Sequence, residues 1–546
     1  MKETVLLAFL FLASVECSDV RRTAVVQTNS GPVQGAILTT VWNSIEYSSF
    51  KGIPYAAPPI GDLRFRPPVS PEPWDQVRDA VEEASQCPQP DNSGAYSGNE
   101  DCLYLSVFTP KTKFNDKTAL KPVMSWIYGG SFIQGCANTS EFGPDFFMEQ
   151  DVVVVTSNYR LGALGFLYLD HPHAAGNAAM KDQLAVLKWI RENIAKFGGD
   201  PNRVTIFGQS AGSSSVSLHI LSDESRGLFQ QAICQSGTSL SYLYKSREDA
   251  LAVSNKLATN LGFPSSDKEQ LMNSFLHADP KDLIEQTSKL QMIIPFAPVK
   301  DNSYVDDPPF LSECPVTKVA TGNFSKVPMI MGFTHDELLL FMDKPYEILN
   351  KTEKYLNEFY PILPPFLKNP YEAVKHFAVN LSDIGMKAQV DFAQKMFTHE
   401  NGDNPIYYYQ VSYVSNYTKR NFNGIPVSGV AHGDDIGYIF NVGWLNAPTD
   451  PEHPFNQFRH KFVTLWSNFA KYGNPTPVNA NPLGETIWEN SGKEGRLLNI
   501  DDVPKMIKRS EAISQTAELT ENVLYLTLPI TSSCSKISYV NYFDLF

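Results

Sequence analysis

The sequence predicts an α/β fold: a large, mostly parallel central sheet covered by helices on both faces. Two patterns carry that expectation. Val152-Val153-Val154-Val155 is a short β-branched run with no polar alternation, as expected of a strand buried on both faces and therefore interior to a sheet. From Met180 to Phe197 the apolar residues instead fall at Met180, Leu184, Leu187, Ile190, Ile194 and Phe197, in steps of three and four that gather on one side of a helix. Gly198-Gly199-Asp200-Pro201 stops that helix. Further strands are expected at residues 123–127, 204–207, 232–235, 329–332 and 407–411. A second helical stripe runs through Phe458, Phe462, Leu465 and Phe469 to Gly473, a residue suited to a left-handed helix cap. Strands alternating with helices indicate parallel pairing, with ligands bound at the carboxyl ends of the strands.

A chain of 546 residues exceeds what one hydrophobic core usually supports. No Gly/Ser-rich linker, charge block, low-complexity tract or fixed-period repeat divides it, however. Residues 19–546 are therefore expected to form a single domain with long insertions. The net charge of −14 repels phosphate and so argues against a nucleic acid or an anionic membrane as partner.

Residues 1–18 have the layout of a secretory signal peptide: Lys2, an apolar stretch over residues 5–15, and small residues around Cys17 and Ser18. That stretch is too short to span a bilayer. Residues 532–546 are polar and mixed, without the pattern of a membrane-spanning tail or lipid anchor. A secreted, extracellular protein with no integral membrane anchor is expected. Of the cysteines outside the signal segment, Cys87 and Cys102 bound a short loop that a disulfide could close. Cys136, Cys234, Cys314 and Cys534 remain open to three pairings or to free thiols. Glycosylation sequons stand at Asn138, Asn323, Asn350, Asn380 and Asn416.

The chemistry concentrates around Ser210. Gly208-Gln209-Ser210-Ala211-Gly212 follows the apolar run Val204-Thr205-Ile206-Phe207 directly and precedes a helical stretch. Strand, sharp turn and helix in that order make a nucleophile elbow, with glycines where close packing is required. A serine hydroxyl needs a base within hydrogen-bond reach and a third group to orient that base. His432, in Gly429-Val430-Ala431-His432-Gly433-Asp434-Asp435, is the candidate base, with His335 as a competitor. Glu337, just past the strand end Met329-Ile330-Met331-Gly332-Phe333-Thr334, is the candidate acid.

Ser210, Glu337 and His432 occur in the chain order of an α/β-hydrolase triad, which makes the expected fold an α/β-hydrolase fold. Oxyanion donors are expected from the backbone N–H of Ala211 and from Gly130 and Ser131 in Tyr128-Gly129-Gly130-Ser131-Phe132. The cysteine and histidine spacings show no zinc pattern, and neither metal nor organic cofactor is expected.

Together with these residues, Phe50-Lys51-Gly52-Ile53-Pro54-Tyr55-Ala56-Ala57-Pro58-Pro59, Leu63-Arg64-Phe65 and Glu100-Asp101-Cys102-Leu103-Tyr104-Leu105 give a chain that resembles the type-B carboxylesterases of the cholinesterase-like family over essentially its whole mature length. The resemblance supports the Cys87–Cys102 bridge. It implies an ion pair between Arg160 and Asp182, and a supporting role for Ser236 behind the acid and base. Three departures stand out. Ser131 occupies the position of the family's third oxyanion-loop glycine, Tyr128 replaces a histidine common in carboxylesterases, and Gln209 replaces the glutamate usual before the nucleophile. The loop between Cys87 and Cys102 contains no tryptophan, so choline recognition by an aromatic ring is not expected.

Arg64-Phe65, Asp182-Gln183, the elbow containing Gln209, Glu337, and His432 with Asp435 also resemble the motif set of insect juvenile hormone esterases and related insect carboxylesterases. The resulting expectation is an esterase that cleaves small lipophilic esters, such as juvenile hormone or odorant and dietary esters, through an acyl-enzyme. The alternatives are a non-catalytic adhesion protein and a ligand-sequestering protein of slow turnover, the latter because of Ser131.

Overall fold

The computed structural model describes residues 20–527, apart from 340–381 and short gaps at 92, 115–118, 242, 291, 293, 305–306, 419 and 423–424. The expected signal segment, Asn350, Asn380 and Cys534 lie outside the described residues.

A single eleven-stranded sheet organises the described chain. In chain order its strands are β1 (Ala36–Thr39), β2 (Glu46–Pro54), β3 (Tyr104–Thr109), β4 (Lys121–Ile127), β5 (Val153–Ser157), β6 (Gly199–Gln209), β7 (Gln231–Gln235), β8 (Met329–Thr334), β9 (Ile406–Val411), β10 (Leu497–Ile500) and β11 (Lys505–Ile507). In space they run β11-β10-β9-β8-β7-β6-β4-β5-β3-β2-β1. The stretch from β5 through β10 is parallel, while β1–β3 and β11 add antiparallel edges. The mostly parallel sheet expected from the sequence is thus present. Every residue of β5, β8 and β9 is buried, which is why these segments are mostly apolar and show no alternation of polar and apolar residues.

Helix α1 (Ala178–Asn193) packs its apolar face inward and passes into a 3-10 turn at Ile194–Phe197, ended by Gly198 at φ 87°. The next strand begins earlier than the sequence indicates. β6 starts at Gly199, not at Val204, because Gly199 pairs with Lys121 across a bulge before regular pairing resumes at Val204. Helix α2 (Ala211–Leu221) follows β6 with Ser210 as the only residue between them, and all its residues are buried. Helix α3 (Pro454–Tyr472) starts with proline at its first turn, is capped by the His453 side chain, and closes on Gly473 at φ 68°.

The elbow glycines are required by packing. A Cβ on Gly212 would lie 2.0 Å from the Ile127 carbonyl oxygen, and one on Gly208 would lie 2.6 Å from that same oxygen. The turn can therefore sit against β4 only if both positions lack a side chain.

Cys87 and Cys102 are disulfide-bonded, with Cα atoms 5.0 Å apart. Cys136 and Cys234 are free thiols. Cys314 is disulfide-bonded. Asn323 and Asn416 are exposed and Asn138 is half-buried. No helix among the described residues is long and apolar enough to cross a membrane.

Candidate active site

Ser210 occupies a backbone position that few non-glycine residues adopt, at φ 60° and ψ −125°. Its N–H donates to the Gln235 carbonyl at 2.8 Å, so β7 holds the turn from behind. The residue is only partly covered, at the carboxyl end of β6.

Glu337 lies in the turn after β8 and its side chain is fully buried. One carboxylate oxygen, Oε1, accepts from the Thr334 N–H at 2.7 Å and from the Ser236 hydroxyl at 2.6 Å. The other, Oε2, lies 2.5 Å from His432 Nδ1. With Nδ1 so engaged, Nε2 is the ring nitrogen left for a hydroxyl. The histidine segment is held independently through its backbone: His432 N–H donates to the Glu337 carbonyl, and Asp336 N–H to the Val430 carbonyl, each at 2.9 Å. The Asp336 carboxylate accepts the Val430 N–H in return at 3.1 Å. His335, the competing base, is exposed and contacts Asp336 at 2.9 Å.

Burial by itself would drive Glu337 to protonate, but the charge and hydrogen bond of His432, with Ser236 and Thr334, hold its pKa below the ordinary glutamate value. For His432, burial disfavours the imidazolium. The carboxylate of Glu337, with Asp435 and Asp434, more than offsets this and raises the imidazole pKa above 6.5.

The glycine-rich turn after β4 closes over the nucleophile. A Cβ on Gly129 would come within 2.9 Å of the Ser210 Cβ, so the backbone bearing Gly130 and Ser131 abuts the elbow that bears Ala211. Gly130 has φ 109°, and the two residues after it, Ser131 and Phe132, have φ of 56° and 62°. Ser131 thus sits in the left-handed region that the family serves with glycine. Ser131→Gly is expected to raise stability by about 1 kcal/mol without loss of kcat; thermal unfolding and steady-state rates on the same preparation check both.

Gln209, beside the nucleophile, is buried with its Nε2 unpartnered, and that atom lies 3.7 Å from where a Cβ on Gly433 would stand. The neighbours of Ser210 and His432 in sequence are thus neighbours in space. Asp435 completes this floor. Its Oδ2 accepts from Gln235 Nε2 at 2.7 Å while its Oδ1 has no partner, and burial pushes its pKa up to about 6 against the stabilising bond from Gln235.

Ser236, the hydroxyl donor to Glu337, stands at φ 52°. Arg160 and Asp182 form the implied ion pair, fully buried, with contacts of 2.8 and 2.6 Å. Among the described residues no cluster of His, Cys, Asp and Glu could hold a metal ion. Sequence reasoning missed Thr334, Asp336 and Gln235 as contacts of this site. Each sits beside a residue it did find, but the pairing becomes visible only once β7, β8 and the histidine segment converge.

The sequence profile of the carboxylesterase family matches residues 22–365 and 367–518. The chain belongs to the carboxylesterase family. It is 35% identical to the juvenile hormone esterase of Tribolium castaneum, over 83% of this chain and 84% of that protein. It is 33% identical to pyrethroid hydrolase Ces2a of Mus musculus, over 87% and 88% respectively. A solved structure, juvenile hormone esterase from Manduca sexta with OTFP covalently attached, superimposes with a TM-score of 0.81 at 27% identity, covering 92% of this chain and all of that one. The carboxylesterase is therefore a serine hydrolase with the α/β-hydrolase architecture, and carboxylic esters are the substrate class its family implies.

Proposed function

We propose that this carboxylesterase is a secreted enzyme that hydrolyses small lipophilic esters through an acyl-enzyme on Ser210. The observation that supports the reading most directly is the 2.5 Å contact between Glu337 and His432, made beside a serine held in a nucleophile elbow. His432 Nε2 takes the Ser210 proton as Oγ attacks the ester carbonyl. Gly130, Ser131 and Ala211 donate N–H groups to the oxyanion, and His432 returns the proton to the departing alcohol. Water, deprotonated by the same nitrogen, then releases the acid. Glu337 keeps its charge throughout and stabilises the imidazolium.

Two relatives named juvenile hormone esterase favour a terpenoid methyl ester as substrate, while a relative named pyrethroid hydrolase favours a broader range. Both classes are lipophilic. The expected outcome is a specificity constant at least about tenfold higher, or about 1.4 kcal/mol in transition-state binding, for a terpenoid methyl ester than for ethyl acetate. Purified protein assayed across acyl and alcohol chain lengths checks this, and a preference for short acetates would remove the lipophilic assignment. The slow-turnover reading draws on Ser131 at φ 56°. A pre-steady-state burst followed by negligible steady turnover would favour it.

A further inference from the structure

The loop closed by Cys87 and Cys102 sends one side chain into contact with the oxyanion turn. Gln89 is buried, and its amide makes a reciprocal pair with the backbone of Gly135. Nε2 donates to the Gly135 carbonyl at 2.9 Å, and Oε1 accepts the Gly135 N–H at 2.7 Å. Nε2 also donates to the Cys87 carbonyl at 3.1 Å, so the amide is tied back to the disulfide.

Gly135 closes the turn that Gly130 opens. Within that turn the N–H groups of Ile133 and Gln134 both donate to the Gly130 carbonyl, at 3.0 and 3.1 Å. A Cβ on Gly130 would lie 2.0 Å from the Gln134 oxygen, and one on Gly135 would lie 2.6 Å from the Tyr128 ring. The start of the turn is thus packed against its end, and the end against the Tyr128 ring. Gly130 and Ser131, at its start, carry N–H groups assigned to the oxyanion, and its end is held by Gln89.

We propose that Gln89 is a positioning residue for the oxyanion donors: the disulfide-closed loop grips Gly135 through this amide and so keeps Gly130 and Ser131 aimed at the developing negative charge. The inference rests on the Ser210 chemistry proposed above. Donors contribute most when they are already oriented before charge develops, and Ser131 and Phe132, both at positive φ, would relax toward commoner backbone angles if the turn were released.

The test compares wild type, Gln89→Ala and Gln89→Glu, the last keeping an acceptor for the Gly135 N–H but losing the donor to its carbonyl. The probe is a trifluoromethyl ketone. Ser210 Oγ bonds to its carbonyl carbon, the serine proton passes to His432, and the carbonyl electron pair becomes an oxyanion in the donor site. The control ligand is the matching alcohol, which has no carbonyl to attack. Gln89→Ala is expected to lower kcat and the ketone affinity together, about 10- to 100-fold, while KM and the affinity for the alcohol stay within about twofold. Gln89→Glu, which sets a carboxylate oxygen against the Gly135 and Cys87 carbonyls, is expected to fall at least as far, and it serves as the test variant if Gln89→Ala does not fold. A general loosening of the fold would weaken alcohol and ketone alike, and that result overturns the proposal. So does ketone affinity that is unchanged in a folded variant while wild-type Ser210 is labelled by a fluorophosphonate. A wild-type protein that no fluorophosphonate labels overturns this inference and the proposed function together.

Discussion

Replacing Ser210 with alanine is expected to lower kcat for ester hydrolysis about a million-fold. The fold should survive, because alanine occupies φ 60° at much the same cost as serine and the anchoring bond from the Ser210 N–H to Gln235 belongs to the backbone. The nearest serines along α2 are no substitute nucleophile: Ser213 and Ser214 donate their hydroxyls to backbone carbonyls within the core. What remains is activation of water by His432 beside intact amide donors, worth about 10³–10⁴ over the uncatalysed rate. A chromogenic ester read in the pre-steady state, with mass measurement after a fluorophosphonate, checks both halves. Burst release or covalent labelling in Ser210→Ala would move the nucleophile elsewhere.

Glu337→Gln is expected to cost about 10⁴ in kcat and to shift the acid limb of the pH–rate profile downward. The active base is neutral imidazole, so activity is lost as pH falls through the His432 pKa. In the wild-type protein that limb is expected above the ordinary imidazole range, because the influence of Glu337 and the nearby aspartates outweighs burial. Glutamine removes the strongest favourable influence and leaves the desolvation, so the imidazole becomes harder to protonate and the limb moves to lower pH. An amide nitrogen facing Nδ1 would also require that atom to accept, which puts the ring proton on Nε2, the wrong tautomer for a base. The pH dependence of kcat/KM for both proteins checks this. A limb that stays in place would mean that Glu337 does not set the protonation of His432.

The sequence foretold the centre of the sheet better than its edges. β5, β8 and β9 are covered on both faces and read as mostly apolar segments without alternation. β2, whose segment Glu46–Pro54 mixes Ser48, Ser49 and Lys51 with Phe50 and Ile53, gives no such run, and β10 and β11 are too short to stand out. At the site, Ser210 was legible because an elbow constrains its immediate neighbours: Gly208 and Gly212 report on packing against β4. Glu337 and His432 were legible only through their order and their places after strands. Gln89, Asp336 and Gln235 were not, because each acts on a partner brought near by the fold and nothing in its local sequence marks that partner.

Glu337 and His432 stand 95 positions apart, yet both ends of that separation are fixed by nearby structure. The acid leaves β8, the chain returns alongside it as β9, and the base is then clasped to the acid through main chain and side chain. Doubling the length of a flexible connection adds only about 0.6 kcal/mol to the entropy of closing it, less than half of the roughly 1.4 kcal/mol carried by a single pKa unit. The relay is therefore nearly indifferent to how much polypeptide lies between its carboxylate and its imidazole. Length can be added to that connection without retuning the proton transfer.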